Sequence, residues 1–178
     1  MKTSNILFIL DRDSRTELSE DIRERIAAIA HAKQCVVGAI ELRRNDVPPC
    51  SGCLHCLTRH PGTCAFNRSF AGISEQAPDF PVIVFLTPVR FGTFSSTIKN
   101  VIDRGGLIIR NHTSCRQIII GYGEDVTDEE RSTFIDITAK HRGKADVVHP
   151  TLEESVEVYF TRSREDNGSI CQSLGDIA

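Results

Sequence analysis

The chain has 178 residues, 25% of them charged and 40% hydrophobic, with a formal net charge of −3. This is the make-up of one domain large enough to bury a core, and the slight negative charge gives no sign of a nucleic-acid footprint. No apolar run approaches membrane-spanning length, and Asp11, Arg12 and Asp13 cut the first one too early for a signal peptide. A cytoplasmic protein is expected, in which an odd count of seven cysteines suits metal or reactive thiols rather than a disulfide framework.

The run from Asn5 to Leu10 is too continuously apolar for a half-exposed strand and predicts one buried on both faces, as in a parallel sheet. The period then changes. Leu18, Ile22, Ile26, Ile29 and Ala30 fall on one helical face, with Glu20, Asp21, Arg23 and Glu24 outside it. The turn between them, residues 11–16, sits where phosphates bind in such sheets, on free backbone N–H groups and the helix dipole. Arg12 and Arg15 would add charge there, and Ser14 and Thr16 hydroxyls. Against this, Ser14 followed by Glu17 reads as a capping box, Asp11 and Asp13 would repel a phosphate, and the turn has no glycine.

Cys35 to Ile40 predicts the second strand, with Cys35 structural. The stretch from Cys50 to Cys64 follows. Cys50, Cys53 and Cys56 are two residues apart, and Cys64 comes after the turn Pro61-Gly62. An iron–sulfur cube needs four thiolates converging on a small volume, and short spacings on an irregular loop supply that. Pro48-Pro49 and Pro61-Gly62 argue against a regular helix. Zinc is a second reading, with His55 and His60 as further donors, although structural zinc sites usually join two separated ligand pairs. Thiols without metal are the third. A short helix is predicted from Phe70 to Ala77, ended by Pro78, and a central strand from Val82 to Leu86.

After that strand the chain reads Thr87-Pro88-Val89-Arg90-Phe91-Gly92-Thr93-Phe94-Ser95, and then a helix runs from Ser95 or Ser96 to Gly105-Gly106 with Ile98, Val101 and Ile102 facing the core. The loop lies at the carboxyl edge of a strand, where open α/β sheets bind ligands. Thr87-Pro88, Phe91-Gly92, Ser95, Lys99 and Ile102-Asp103-Arg104 resemble the pattern of the flavodoxin-like family of NADPH-dependent FMN reductases. The Arg90-Phe91-Gly92 version is similar to that of the multimeric flavodoxin-like NAD(P)H:quinone oxidoreductases. Cys50, Cys53, Cys56 and Cys64 resemble, in order and spacing, the motif of the iron–sulfur flavoprotein branch. The resemblance implies that this loop wraps the isoalloxazine ring of FMN. Pro88, Val89 and Thr93 would lie along it, backbone N–H groups from Val89 to Thr93 would meet the polar edge of the ring, Arg90 would stabilise negative charge in the reduced flavin, and Phe91 would cover ring surface. The plain alternative is Phe91 in the core and Arg90 in a surface ion pair.

The fourth strand is predicted at Gln117 to Ile120, followed by Gly121, Tyr122 and Gly123, a further FMN-contacting segment by the same resemblance. Thr127 to Glu130 is a capping box that opens a helix through about His141. Ala145 to Val148 and Val156 to Phe160 are both strand-like, which leaves the fifth strand open between them. His31, His112, His141 and His149 read as surface or satisfied histidines. From about Ser163 the chain is polar, a tail that either frays or docks on a partner subunit.

The expectation is therefore a single α/β domain over residues 1–178, a flavodoxin-like three-layer sandwich with a five-stranded parallel sheet. The resemblance implies FMN, a homodimer or homotetramer, and electron transfer between NAD(P)H or a protein donor and a small acceptor such as a quinone or free flavin, or a ferredoxin-like protein. A [4Fe-4S] cluster would sit on Cys50, Cys53, Cys56 and Cys64. Hydride transfer needs no proton-transfer residue, so no acid or base is named. The competing expectation is a non-enzymatic flavodoxin-like module whose cysteines bind zinc or sense redox state.

Overall fold

The structure is a computed structural model that describes residues 5–59, 64–66, 72–73, 76–104, 116–148, 156–166 and 170. The continuous apolar runs become strands: β1 (Ile6–Asp11), β2 (Val37–Leu42), β3 (Val82–Pro88), β4 (Arg116–Tyr122) and β5 (Val156–Thr161). All pair in parallel, in the order β2-β1-β3-β4-β5, which is the doubly wound flavodoxin-like order. The central strand β3 is buried at every residue, as its unbroken apolar sequence requires.

Helices cover both faces. On one side α1 (Glu17–Ala32) sets Leu18, Ile22, Ile26 and Ala30 against Ile6, Phe8, Val82, Val84, Leu86, Ile118 and Ile120. On the other, α3 (Ser96–Asp103) and α4 (Asp128–Val148) set Ile98, Val101 and Phe134 against Leu7, Ile9, Ile83, Phe85 and Ile119. Alternate residues of each strand thus feed two separate cores, each fully buried aliphatic contributing roughly 1.5–3 kcal/mol. A single helical turn, α2 (His55–Thr58), lies in the cysteine loop.

Several sequence expectations shift. The cap of α1 is Thr16 with Ser19, not Ser14 with Glu17: Thr16 Oγ1 accepts from the Ser19 N–H at 3.2 Å and Ser19 Oγ accepts from the Thr16 N–H at 2.9 Å. Ser14 stands instead in a 3₁₀ turn over Arg12–Ser14, folded back by Asp11. The second strand begins at Val37, two residues late, because its register sets Ile6 beside Val37 and Asp11 beside Leu42. Cys35 precedes it and is buried. Of the helix expected from Phe70 to Ala77, Gly72, Ile73 and Gln76 are helical, residues 70–71 and 74–75 lie outside the described ones, and Pro78 stands within a 3₁₀ turn over Ala77–Asp79.

Ala145 to Val148 is the end of α4 rather than a strand. So short a strand-like stretch does not distinguish the two by itself, and a parallel neighbour of β4 has to start back at the amino edge, where β5 does. Past β5 the chain turns at Arg162–Asp166, and Ile170 is buried in the α1 core. Arg164 pairs with Glu17 of α1 at 2.8 Å. That part of the tail docks on its own domain because it carries an apolar residue to bury. No helix among the described residues is long and apolar enough to cross a membrane.

Candidate functional site

β1 and β3 are paired neighbours, but the chain leaves β1 for α1 on one face of the sheet and β3 for α3 on the other, so the loops after them part and open a crevice. The loops after β1, β3 and β4 line a cleft there of about 450 Å³. Its walls are Thr16, Glu17 and Leu18 at the start of α1, Pro88 to Phe91 after β3, and Tyr122 to Val126 with Glu130 after β4. The cleft therefore gathers Thr16, Pro88, Val89, Arg90, Phe91, Tyr122 and Gly123 of the residues expected from sequence.

The wall after β3 is a closed two-residue turn. Arg90 and Thr93 exchange two backbone hydrogen bonds of 3.0 Å, and both residues between them have positive φ, 51° at Phe91 and 70° at Gly92. Those are the signs of a type I′ turn. Glycine suits its position doubly, since a Cβ on Gly92 would stand 2.8 Å from the Thr133 side chain. Phenylalanine does not suit the left-handed region, yet Phe91 holds it with 92% of its surface exposed at the cleft mouth. It is neither core nor buried support. Behind the turn, Phe94 meets Phe134 edge to face at 5.3 Å. The buried Thr87 hydroxyl accepts from the Ser95 N–H at 3.0 Å, and Ser95 caps α3 by accepting from the Ile98 N–H. The turn thus springs from a fixed base.

That self-closure corrects the donor inventory. The N–H groups of Arg90 and Thr93 serve the turn, and that of Val89 donates to the Tyr122 carbonyl at 2.9 Å, so all three are engaged within the chain. Gly121 packs rather than lines the cleft: a Cβ there would meet Phe134 at 2.5 Å and Val89 at 2.8 Å. Tyr122 is buried, donates to the Ser14 carbonyl at 2.7 Å, and has its phenol pushed up to about 12, chiefly by burial.

Asp11, Asp13, Ser14 and Arg15 of the first loop are likewise engaged within the chain. The Ser14 hydroxyl and the Asp13 N–H both donate to the buried Asp11 carboxylate, and Asp13 accepts from the Arg44 N–H at 2.9 Å. Arg15 pairs with Glu20 and reaches Glu41, and these carboxylates, Glu20 first, raise its pKa. Arg12 and Arg15 border a crevice of about 10 Å³ shared with Tyr122 and are not among the residues lining the main cleft. Glu17, Glu124, Asp125 and Glu130, which sequence reading left out, give the cleft an acidic rim; their pattern had a sufficient explanation in helix starts and turns.

The second feature is a cavity of about 360 Å³ lined by Cys50, Cys53, Cys56 and Cys64 together with Pro48, Pro49, Leu54, Ala65, Phe66 and Arg104. Cys50 and Cys53 are exposed, Cys56 and Cys64 half-buried against the core, and none of the described cysteines is in a disulfide. Gly52 and Leu54 on either side of Cys53 both have positive φ, 68° and 56°. The double reversal wraps the loop around Cys53. The Cys53 thiol is shifted down, first by a hydrogen bond from the His55 backbone. Burial, and then the neighbouring Cys50, push Cys56 up. Among the described residues no three His, Cys, Asp or Glu side chains are gathered for one metal ion. A cube sets each thiolate on a different iron, so its four sulfurs stand further apart than donors around a single ion. The four cysteines nevertheless line one largely apolar cavity.

Arg104, which sequence reading did not place at a site, joins the two features. It follows α3, whose cap Ser95 belongs to the cleft loop, and its buried guanidinium donates to Pro48 O at 2.8 Å, Pro49 O at 2.9 Å and Cys64 Sγ at 2.8 Å. The eight residues of α3 span about 12 Å.

Residues 5–122 match the family model described as NADPH-dependent FMN reductase. An iron-sulfur flavoprotein of Archaeoglobus fulgidus is 30% identical over 87 residues, which cover 49% of this chain and 40% of that relative. The chain thus spans well under two thirds of the relative's length. Among solved structures, an NAD(P)H:quinone oxidoreductase from Methanothermobacter marburgensis superposes with a TM-score of 0.67 at 12% identity, covering 97% of this chain and 98% of the other. A flavodoxin from the domain Archaea gives 0.57 at 12% identity, covering 98% and 96%. At these identities the likeness establishes the fold.

Proposed function

The chain belongs to the NADPH-dependent FMN reductase family, and from that premise we propose that it is a flavoprotein oxidoreductase whose carboxyl-edge cleft binds FMN and whose cysteine cavity holds a [4Fe-4S] cluster. One flavodoxin-like domain would carry both. The observation that bears most weight is Phe91: a bulky residue kept in the left-handed region, at a cost of roughly 1–3 kcal/mol, and presented almost wholly to solvent at the cleft mouth. Such a side chain contributes little to the apo fold. A flat aromatic ring seated beside it would bury it.

FMN supplies the hydride and single-electron chemistry when bound. The protein's part is to bind and orient. The turn 90–93 forms one wall for the ring, with Arg90 at its edge to favour the anionic reduced state. Val89, Tyr122 and Gly123 form the floor. The open face admits NAD(P)H and then a small acceptor such as a quinone. The four cysteines would ligate the cluster, with the His55 backbone and Arg104 donating to their sulfurs. With α3 between the two sites, the cysteines would hold a one-electron centre on the same domain as a flavin that supplies two-electron chemistry.

The test is an absorption spectrum of the anaerobically purified chain, with iron, zinc and FMN assayed on the same sample. Flavin bands over a broad iron–sulfur shoulder are expected. In the C53S/C56S double variant iron and the shoulder should vanish while flavin stays. Absence of flavin after incubation with excess FMN would overturn the oxidoreductase reading. Zinc in a colourless protein would replace it with a flavodoxin-like binding module.

A further inference from the structure

We propose that Arg104 is the positioning residue of the cysteine centre: it closes the loop so that Cys64 faces the other three thiols, and it donates a hydrogen bond to the Cys64 sulfur. This deepens the cluster reading and rests on it.

Cys64 is the ligand most remote in sequence, eight residues after Cys56 with Pro61-Gly62 between them. Something outside the loop has to fix its distance from Cys50. The Pro48-Pro49 segment that launches the loop has no backbone N–H of its own and forms no strand or helix, so its carbonyls need donors from elsewhere. Arg104 supplies them. One nitrogen donates to each of Pro48 O and Pro49 O, and a third, on the same rigid fork, to Cys64 Sγ. The two ends of the loop are thereby held by one planar group. Asn100, one turn earlier on α3, donates to Val47 O at 2.8 Å and extends the same clamp.

Arg104 is 5% exposed. Losing it would take the donors from the Pro48 and Pro49 carbonyls and free the Cys64 end. Lysine is no equivalent, because it is a point charge rather than a three-way fork. The bond to sulfur has an electronic effect besides. An N–H donated to a cluster ligand favours the more electron-rich reduced state and raises the reduction potential. Because α3 also carries the cleft loop at its other end, Arg104 makes the cysteine centre and the cleft parts of one rigid unit.

The experiment reconstitutes full-length apo-protein anaerobically with ferrous iron and sulfide, comparing the wild type with R104Q and R104K. Circular dichroism checks the fold, and R104K alone carries the test should R104Q not fold. Iron affinity should fall about tenfold or more in R104Q, the usual effect of removing an outer partner of a metal ligand, with partial recovery in R104K. The cluster that does form in either variant should have a lower midpoint potential than in the wild type. Equal loading and equal potential would overturn the proposal. If even the wild type takes up no iron, the cluster reading fails, and the alkylation rate of Cys64 in apo-protein decides the tether: faster in R104Q supports it, unchanged overturns it.

Discussion

At the scale of single residues, burial and hydrogen bonding set testable chemistry. The folded-state pKa of Tyr122, about 12, lies above its ordinary 10.0. The folded protein therefore keeps a proton that the unfolded chain loses. The resulting stability is fully present below pH 10 and is lost as pH rises towards 12. At about 1.4 kcal/mol per unit this amounts to roughly 2–3 kcal/mol. Denaturant titrations should find that loss reduced in Y122F, which at neutral pH should itself be weaker by about 1 kcal/mol for want of the bond to the Ser14 carbonyl. Cys53 and Cys56 are shifted in opposite directions. In apo-protein, mass-spectrometric mapping of iodoacetamide alkylation against pH should find Cys53 reacting at lower pH than Cys56, since the thiolate is the reactive form. The same midpoint for both would contradict the described loop.

At the scale of elements, the turn 90–93 stores strain at one position and relieves it at the next. F91G should stabilise the apo-protein by about 1 kcal/mol, because glycine adopts positive φ freely, and should weaken FMN binding about tenfold through loss of ring contact. A fluorescence titration and a thermal melt on the same variant check both arms. G92A should do the opposite to stability, losing about 1–2 kcal/mol, since its new methyl meets Thr133 and its φ is positive. If F91G binds FMN like the wild type, Phe91 does not cover the ring.

At the scale of the molecule, the carboxyl edge divides into the cleft proposed to take the flavin ring and a first loop in which Asp11, Asp13, Ser14 and Arg15 already serve the fold. Asp11 occupies the Ser14 hydroxyl, Glu20 and Glu41 engage Arg15, and the cleft rim is acidic. A phosphate would bring charge to a place prepared for none. Riboflavin should therefore bind within about tenfold of FMN, about 1.4 kcal/mol, in a titration at low salt. A hundredfold preference for FMN would mean that the first loop rearranges to release Arg15 on binding.

Much of this was legible in the chain itself. Ile6 to Leu10 and Val82 to Leu86 have the unbroken hydrophobicity that only a doubly covered parallel strand tolerates, and Leu18, Ile22 and Ile26 have the helical spacing that covers it. Both follow from local periodicity, so the layered α/β architecture needed no coordinates. The Phe91-Gly92 loop and the four cysteines were likewise visible as motifs. Tertiary structure decided which competing local option won. Ser14 with Glu17 read as the α1 cap, but the buried Asp11 carboxylate engages Ser14 and the cap falls to Thr16 with Ser19. Ala145 to Val148 was as strand-like as Val156 to Phe160 until the register against β4 chose the latter. Arg104 was no more than the end of the Ile102-Asp103-Arg104 motif until packing carried the Pro48 and Pro49 carbonyls and Cys64 to its guanidinium across 56, 55 and 40 residues of sequence. Periodicity and propensity act over a few residues, whereas hydrogen-bond partners are assigned by whichever groups the folded chain buries together.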